Sequence, residues 1–88
     1  MALAEAEAAA SWYAEQDPRV AVQFAEGIEA VLNRIAEAPA RWPRYLDGTQ
    51  RVLLTRFPYV VVYREEPTRI LVVAIAHAKR KPGYWKTR

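Results

Sequence analysis

The hydrophobic pattern divides this chain into two parts with different periods. From Ala2 to Gln16, Leu3, Ala6, Ala10 and Tyr13 recur at three- and four-residue spacing, which places a narrow apolar stripe along a helix. Alanine, the best helix former, fills most of the remaining positions, and Glu5 and Glu7 stand early, where the helix dipole favours acids. Asp17-Pro18 then reads as an N-cap followed by proline at the first helical position. The second helix is predicted from Pro18 to about Ala38, with Val20, Phe24, Ile28, Val31, Leu32 and Ile35 on its buried face and Pro39 as its stop. So tight a connection makes the pair an antiparallel hairpin.

Beyond Pro39 the helical period is lost. Residues 39–48 carry two prolines and the turn pair Asp47-Gly48, so they form a loop, with Trp42 and Tyr45 capping the core. Three runs rich in β-branched and aromatic residues follow: Arg51 to Phe57, Tyr59 to Arg64 and Arg69 to His77. Pro58 leaves a short link between the first two, and Glu65-Glu66-Pro67-Thr68 makes the next turn. Connections this short favour antiparallel pairing in sequential order. The expected fold is α+β: an N-terminal antiparallel helix hairpin packed on a three-stranded antiparallel sheet, in one domain over residues 1–88.

Composition narrows the chemistry. With 88 residues, no cysteine and one histidine, the chain has neither a disulfide framework nor a Cys/His zinc site and depends on apolar burial. The three glycines are isolated, so no phosphate-cradling loop is read and no cofactor is implied. No secretory signal is visible at Met1 to Ala10, and the longest apolar runs, Val60 to Tyr63 and Ile70 to Ala76, are too short to span a bilayer as helices. A soluble, cytoplasmic protein is expected.

Charge is unevenly spread. Residues 1–38 hold seven acids against Arg19 and Arg34, a balance of −5, while residues 39–88 hold eleven basic residues against Asp47, Glu65 and Glu66, a balance of +8. The basic half suits an anionic partner. The last twelve residues concentrate the effect: Lys79, Arg80, Lys81, Lys86 and Arg88 surround Tyr84 and Trp85, and none is acidic. Such a segment can pair with phosphates and stack on bases, or meet an acidic protein.

Few residues offer catalysis. His77 is the one histidine, the side-chain type that exchanges protons near neutrality. Strict strand alternation places it on one face with Leu71, Val73 and Ile75, where it closes the core edge or serves as a phosphate contact or proton shuttle. Arg51 and Arg56 alternate out of phase on the first predicted strand and so point to opposite faces. Arg51 is placed to clamp a phosphate or to stand as an ordinary edge charge.

Four segments then carry a resemblance: Ala-x-x-Trp-Tyr at Ala9 to Tyr13, Ile-Ala-Glu-Ala-Pro at Ile35 to Pro39, the Phe-Pro-Tyr stretch within Arg51 to Arg64, and His-x-x-Arg-x-Pro-x-Tyr-Trp from His77 to Trp85. Together they resemble the RelE/ParE superfamily of toxins from bacterial type II toxin–antitoxin modules, associated with plasmid stabilization. The resemblance implies a cognate acidic antitoxin as partner and a helix hairpin on an antiparallel sheet. For a RelE-like ribonuclease acting on ribosome-bound mRNA, it would place catalysis on Arg51, Arg80 and Tyr84. Two further basic positions of that constellation fall on Leu53 and Val60. The ParE-like branch, which poisons DNA gyrase by binding, is the closer match through its Pro-Gly-Tyr-Trp ending. For that reading Lys79, Arg80, Lys81, Tyr84, Trp85, Lys86 and Arg88 are the expected target- or antitoxin-binding residues, with His77 accessory. A degenerate, non-toxic member that only binds its antitoxin or nucleic acid is the third reading. Family members usually begin with a strand, which this sequence lacks before its first helix. The uncovered sheet edge predicts a homodimer or an antitoxin-dependent heteromer.

Overall fold

A computed structural model describes residues 2–79 of the chain. Helix α1 covers Ala2–Gln16 and α2 covers Pro18–Glu37, separated by Asp17 alone. Asp17 ends one helix and starts the other. Its backbone N–H donates to the Tyr13 carbonyl at 2.8 Å, and its carboxylate accepts the Arg19 backbone N–H at 3.0 Å. The Arg19 guanidinium folds back onto the same carboxylate at 2.9 Å. That side-chain bond, then the backbone bond, holds the Asp17 carboxyl below its ordinary pKa.

The sheet consists of β1 (Gln50–Leu53), β2 (Tyr59–Glu66) and β3 (Arg69–His77), antiparallel and in the order β1-β2-β3. The α+β architecture is the one the periodicity predicts. The helix hairpin covers one sheet face, and the core between the layers holds Ala9, Phe24, Val31, Ile35, Val52, Leu54, Val61, Tyr63 and Ile75. Ala6, Ala10 and Tyr13 of the expected α1 stripe pack against it, and the side chain of Leu3 lies outside the described residues. Of the face expected for α2, Phe24, Val31 and Ile35 are buried, whereas Leu32 is 37% exposed.

β2 runs two residues further than expected, with Glu65 and Glu66 paired to Ile70 and Arg69, so the turn is Pro67-Thr68 alone. Two other expectations about the strands need correcting. The first strand stops at Leu53 rather than running to Phe57. Leu54 N–H still reaches the Tyr59 carbonyl at 2.9 Å, but residues 55–58 loop out. Phe57 is the cause: its ring turns back toward the helices, with ring centroids 5.1 Å from Tyr13 and 5.2 Å from Phe24. Packing an aromatic ring against the core outweighs extending the ladder over residues 55–57, and Pro58 has no N–H to give the ladder. Arg56 therefore sits in this loop and has no strand face. Second, β2 and β3 carry a bulge: Val62 pairs Ala74 and Tyr63 pairs Val72, so Val73 is the extra residue. The bulge resets the alternation, and Leu71, opposite Arg64, does not share a face with Ile75 and His77.

The connection before β1 is held by side chains. Gln50 Nε2 donates at 2.8 Å to the carbonyls of both Pro39 and Trp42, and the Tyr63 hydroxyl donates to the Pro39 carbonyl as well. At the far end Asp47 (φ 52) and Gly48 (φ 71) both adopt left-handed backbone, and Thr49 N–H closes the turn onto Leu46 at 3.0 Å. Consecutive left-handed residues are what an Asp-Gly pair tolerates.

Candidate target and antitoxin interface

The sheet has two chemically different faces. Residues 59, 61 and 63 of β2 point toward the helices, and paired residues of neighbouring strands share their face. His77 pairs Tyr59 and so belongs to the helix side, where the two rings meet edge to face at 5.4 Å. It lines a groove of about 380 Å³ between α1 and the β3 edge, together with Trp12, Tyr59 and Ile75. Its Nδ1 accepts the Lys79 backbone N–H at 3.1 Å, which turns the chain at the end of β3. His77 thus closes the edge of the core and ties down the start of the basic segment.

Arg51 pairs Val62 and belongs to the opposite face, away from both helices. Its guanidinium lies over the Tyr45 ring, 4.7 Å from the centroid, while its backbone N–H donates to the Pro43 carbonyl at 3.2 Å. A groove of about 660 Å³ beside it is lined by Arg34, Trp42, Leu53, Val60 and Ala78 among others. Val62, Ala74 and Ala76 on this face are buried, and Leu53 is exposed. Where a RelE-like constellation calls for further basic side chains, this face carries Leu53 and Val60.

Of the residues expected to bind a target or antitoxin, Lys79 is described: it is exposed, just past the end of β3. Arg80, Lys81, Tyr84, Trp85, Lys86 and Arg88 lie outside the described residues. The structure does not bring Arg51 and His77 together. It does gather side chains that sequence reading passed over, namely Arg34 beside Arg51, and Arg41 with its guanidinium 5.2 Å from the Trp42 ring. Their signal was present in Arg41-Trp42-Pro43-Arg44-Tyr45, which interleaves basic and aromatic residues as the C-terminal segment does.

Among the described residues no helix is long and apolar enough to cross a membrane. A family model described as ParE toxin of type II toxin-antitoxin system, parDE, matches residues 1–82. The chain belongs to this family and is the toxin of a type II toxin–antitoxin module, with a cognate antitoxin as its partner. No curated protein and no solved structure matches it.

Proposed function

We propose that this toxin acts as a ParE-like poison, binding a DNA gyrase-type target rather than cutting RNA. One observation carries the reading: Arg51 and His77 stand on opposite faces of the sheet. Cleavage through a ribose 2′-hydroxyl needs a proton acceptor and charge stabilisation on the same phosphate. Arginine is a poor base, and the one histidine faces the helices with Nδ1 engaged by the Lys79 backbone N–H. Poisoning by binding needs no such pairing.

The antitoxin is proposed to lie over the basic C-terminal half as an extended or helical acidic segment. The +8 balance of residues 39–88 supports this, as does the position of β3 at an edge of the described sheet. The same edge supports association with a second copy when the antitoxin is absent. A RelE-like ribonuclease acting through Arg51, Arg80 and Tyr84 is the competing reading. Induced expression followed by parallel assays for gyrase-linked DNA breaks and for cut messenger RNA separates the two. Breaks without cuts are expected.

A further inference from the structure

Five arginines converge along the outer side of β1 from segments far apart in sequence. Arg34 and Arg56 line one groove between α2 and the 54–57 loop, and Arg34 also lines the neighbouring groove with Arg51 and Trp42. Arg51 lies over Tyr45, Arg41 lies over Trp42, and Arg44 bridges to Gln50 at the start of the strand. All five are exposed. The ion pairs among the described residues, Arg19 with Asp17 and Arg69 with Glu66, involve none of them. Glu26 lines the groove of Arg34 and Arg56, and Glu65 lines one with Arg44, yet neither forms an ion pair with the ridge.

We propose that this arginine ridge binds the phosphate backbone of duplex DNA. The ridge holds guanidiniums and no lysines, and the planar guanidinium fork matches phosphate oxygens two at a time. From Gln50 through β1 to Leu54, whose N–H still reaches Tyr59, the extended chain rises ~13 Å. That is enough to pass about four phosphates of one DNA strand at ~3.4 Å of axis each. An antitoxin docked at the β3 edge leaves the opposite edge, where the ridge lies, open. A second protein partner here is disfavoured because Leu53 is the ridge's one large exposed hydrophobic side chain among the described residues, and protein interfaces form around an apolar centre. A single strand is disfavoured because the aromatic rings already carry arginines, and the Trp42 indole N–H is buried. Proteins that hold single strands offer open rings on which bases stack. This inference does not rest on the gyrase reading, since it concerns direct contact between the chain and DNA.

The test is fluorescence anisotropy of a labelled mixed-sequence duplex titrated with the purified full chain, for the wild type and R34Q/R44Q/R56Q. The basic residues from Lys79 onward are unchanged in both, so the difference reports the ridge. Wild-type affinity should fall with salt with a log–log slope of about −3.6, about 0.9 for each of roughly four phosphate contacts. The triple variant should bind at least tenfold more weakly at about 50 mM salt, with a slope shallower by about 2.7, or about 0.9 for each arginine removed. Should its far-UV circular dichroism change, the three single replacements, each expected to weaken binding two- to threefold, carry the test. Equal binding by wild type and variants, a flat salt response, or stronger competition by single-stranded RNA or polyglutamate than by unlabelled duplex would overturn the proposal.

Discussion

Arg51 and His77 lie on opposite faces of one sheet, the arginine over Tyr45 on the outer side and the histidine edge-on to Tyr59 beneath the helices. With a sheet between them and no shared partner, they should behave independently. Replacing Arg51 by Ala and His77 by Gln, singly and together, should give stability losses that add to within about 0.5 kcal/mol. Chemical denaturation of the four proteins measures this, and a larger coupling would place the two side chains in one unit.

Much of this arrangement is legible in the sequence. The boundaries of α1 and β3, the Asp17-Pro18 joint and the Asp47-Gly48 turn all follow from local chemistry, and the structure keeps them. His77 keeps the face of Ile75 that alternation gives it. The facing of Leu71 does not follow, because the bulge at Val73 depends on how β2 and β3 fit together, and no residue in β3 announces it. The early end of β1 is hidden for a similar reason: Phe57 leaves the strand to reach Tyr13 and Phe24, two residues distant in the chain. The arginine ridge was the least legible feature. Arg34, Arg44 and Arg56 become neighbours only through tertiary packing.

The Pro39 carbonyl accepts from both Gln50 and Tyr63, whereas the Trp42 carbonyl is served by Gln50. Tyr63→Phe therefore leaves Pro39 with one donor and should cost about 1 kcal/mol. Gln50→Leu removes two bonds at once and should cost more, about 2 kcal/mol. In a domain of this size these correspond to drops in Tm of roughly 4–8 °C and about twice that. Scanning calorimetry tests the ranking, and a larger loss from the tyrosine variant would contradict it.

Burial raises the phenol pKa of Tyr13, with a smaller contribution from Tyr59, and burial followed by Glu65 raises that of Tyr63. Both phenols thus hold their protons to higher pH in the folded chain than in the unfolded one. Their contribution to stability is complete below the ordinary tyrosine pKa of about 10 and is lost as pH rises through the folded values. Denaturation midpoints should accordingly fall above about pH 10. Absorbance at the tyrosinate band should show part of the tyrosine signal titrating late, and a midpoint unmoved between about pH 9 and pH 11 would contradict the shifts.

If the antitoxin covers the basic half of the chain, reversing charge at the end of β3 should weaken the complex. The replacement K79E/R80E is expected to lower affinity for the cognate antitoxin at least tenfold, mainly through faster dissociation, as for a close charge pair. Surface plasmon resonance resolves the two rates. Unchanged affinity would move the antitoxin interface elsewhere.

The most direct measurement takes the purified toxin to purified DNA gyrase with supercoiled plasmid, trapping any covalent enzyme–DNA intermediate with detergent. The account predicts toxin-dependent linear DNA that disappears when the cognate antitoxin is added first, with ribosome-bound messenger RNA left intact in a parallel reaction. Codon-linked cuts in the message, with no gyrase-linked breaks, would contradict it.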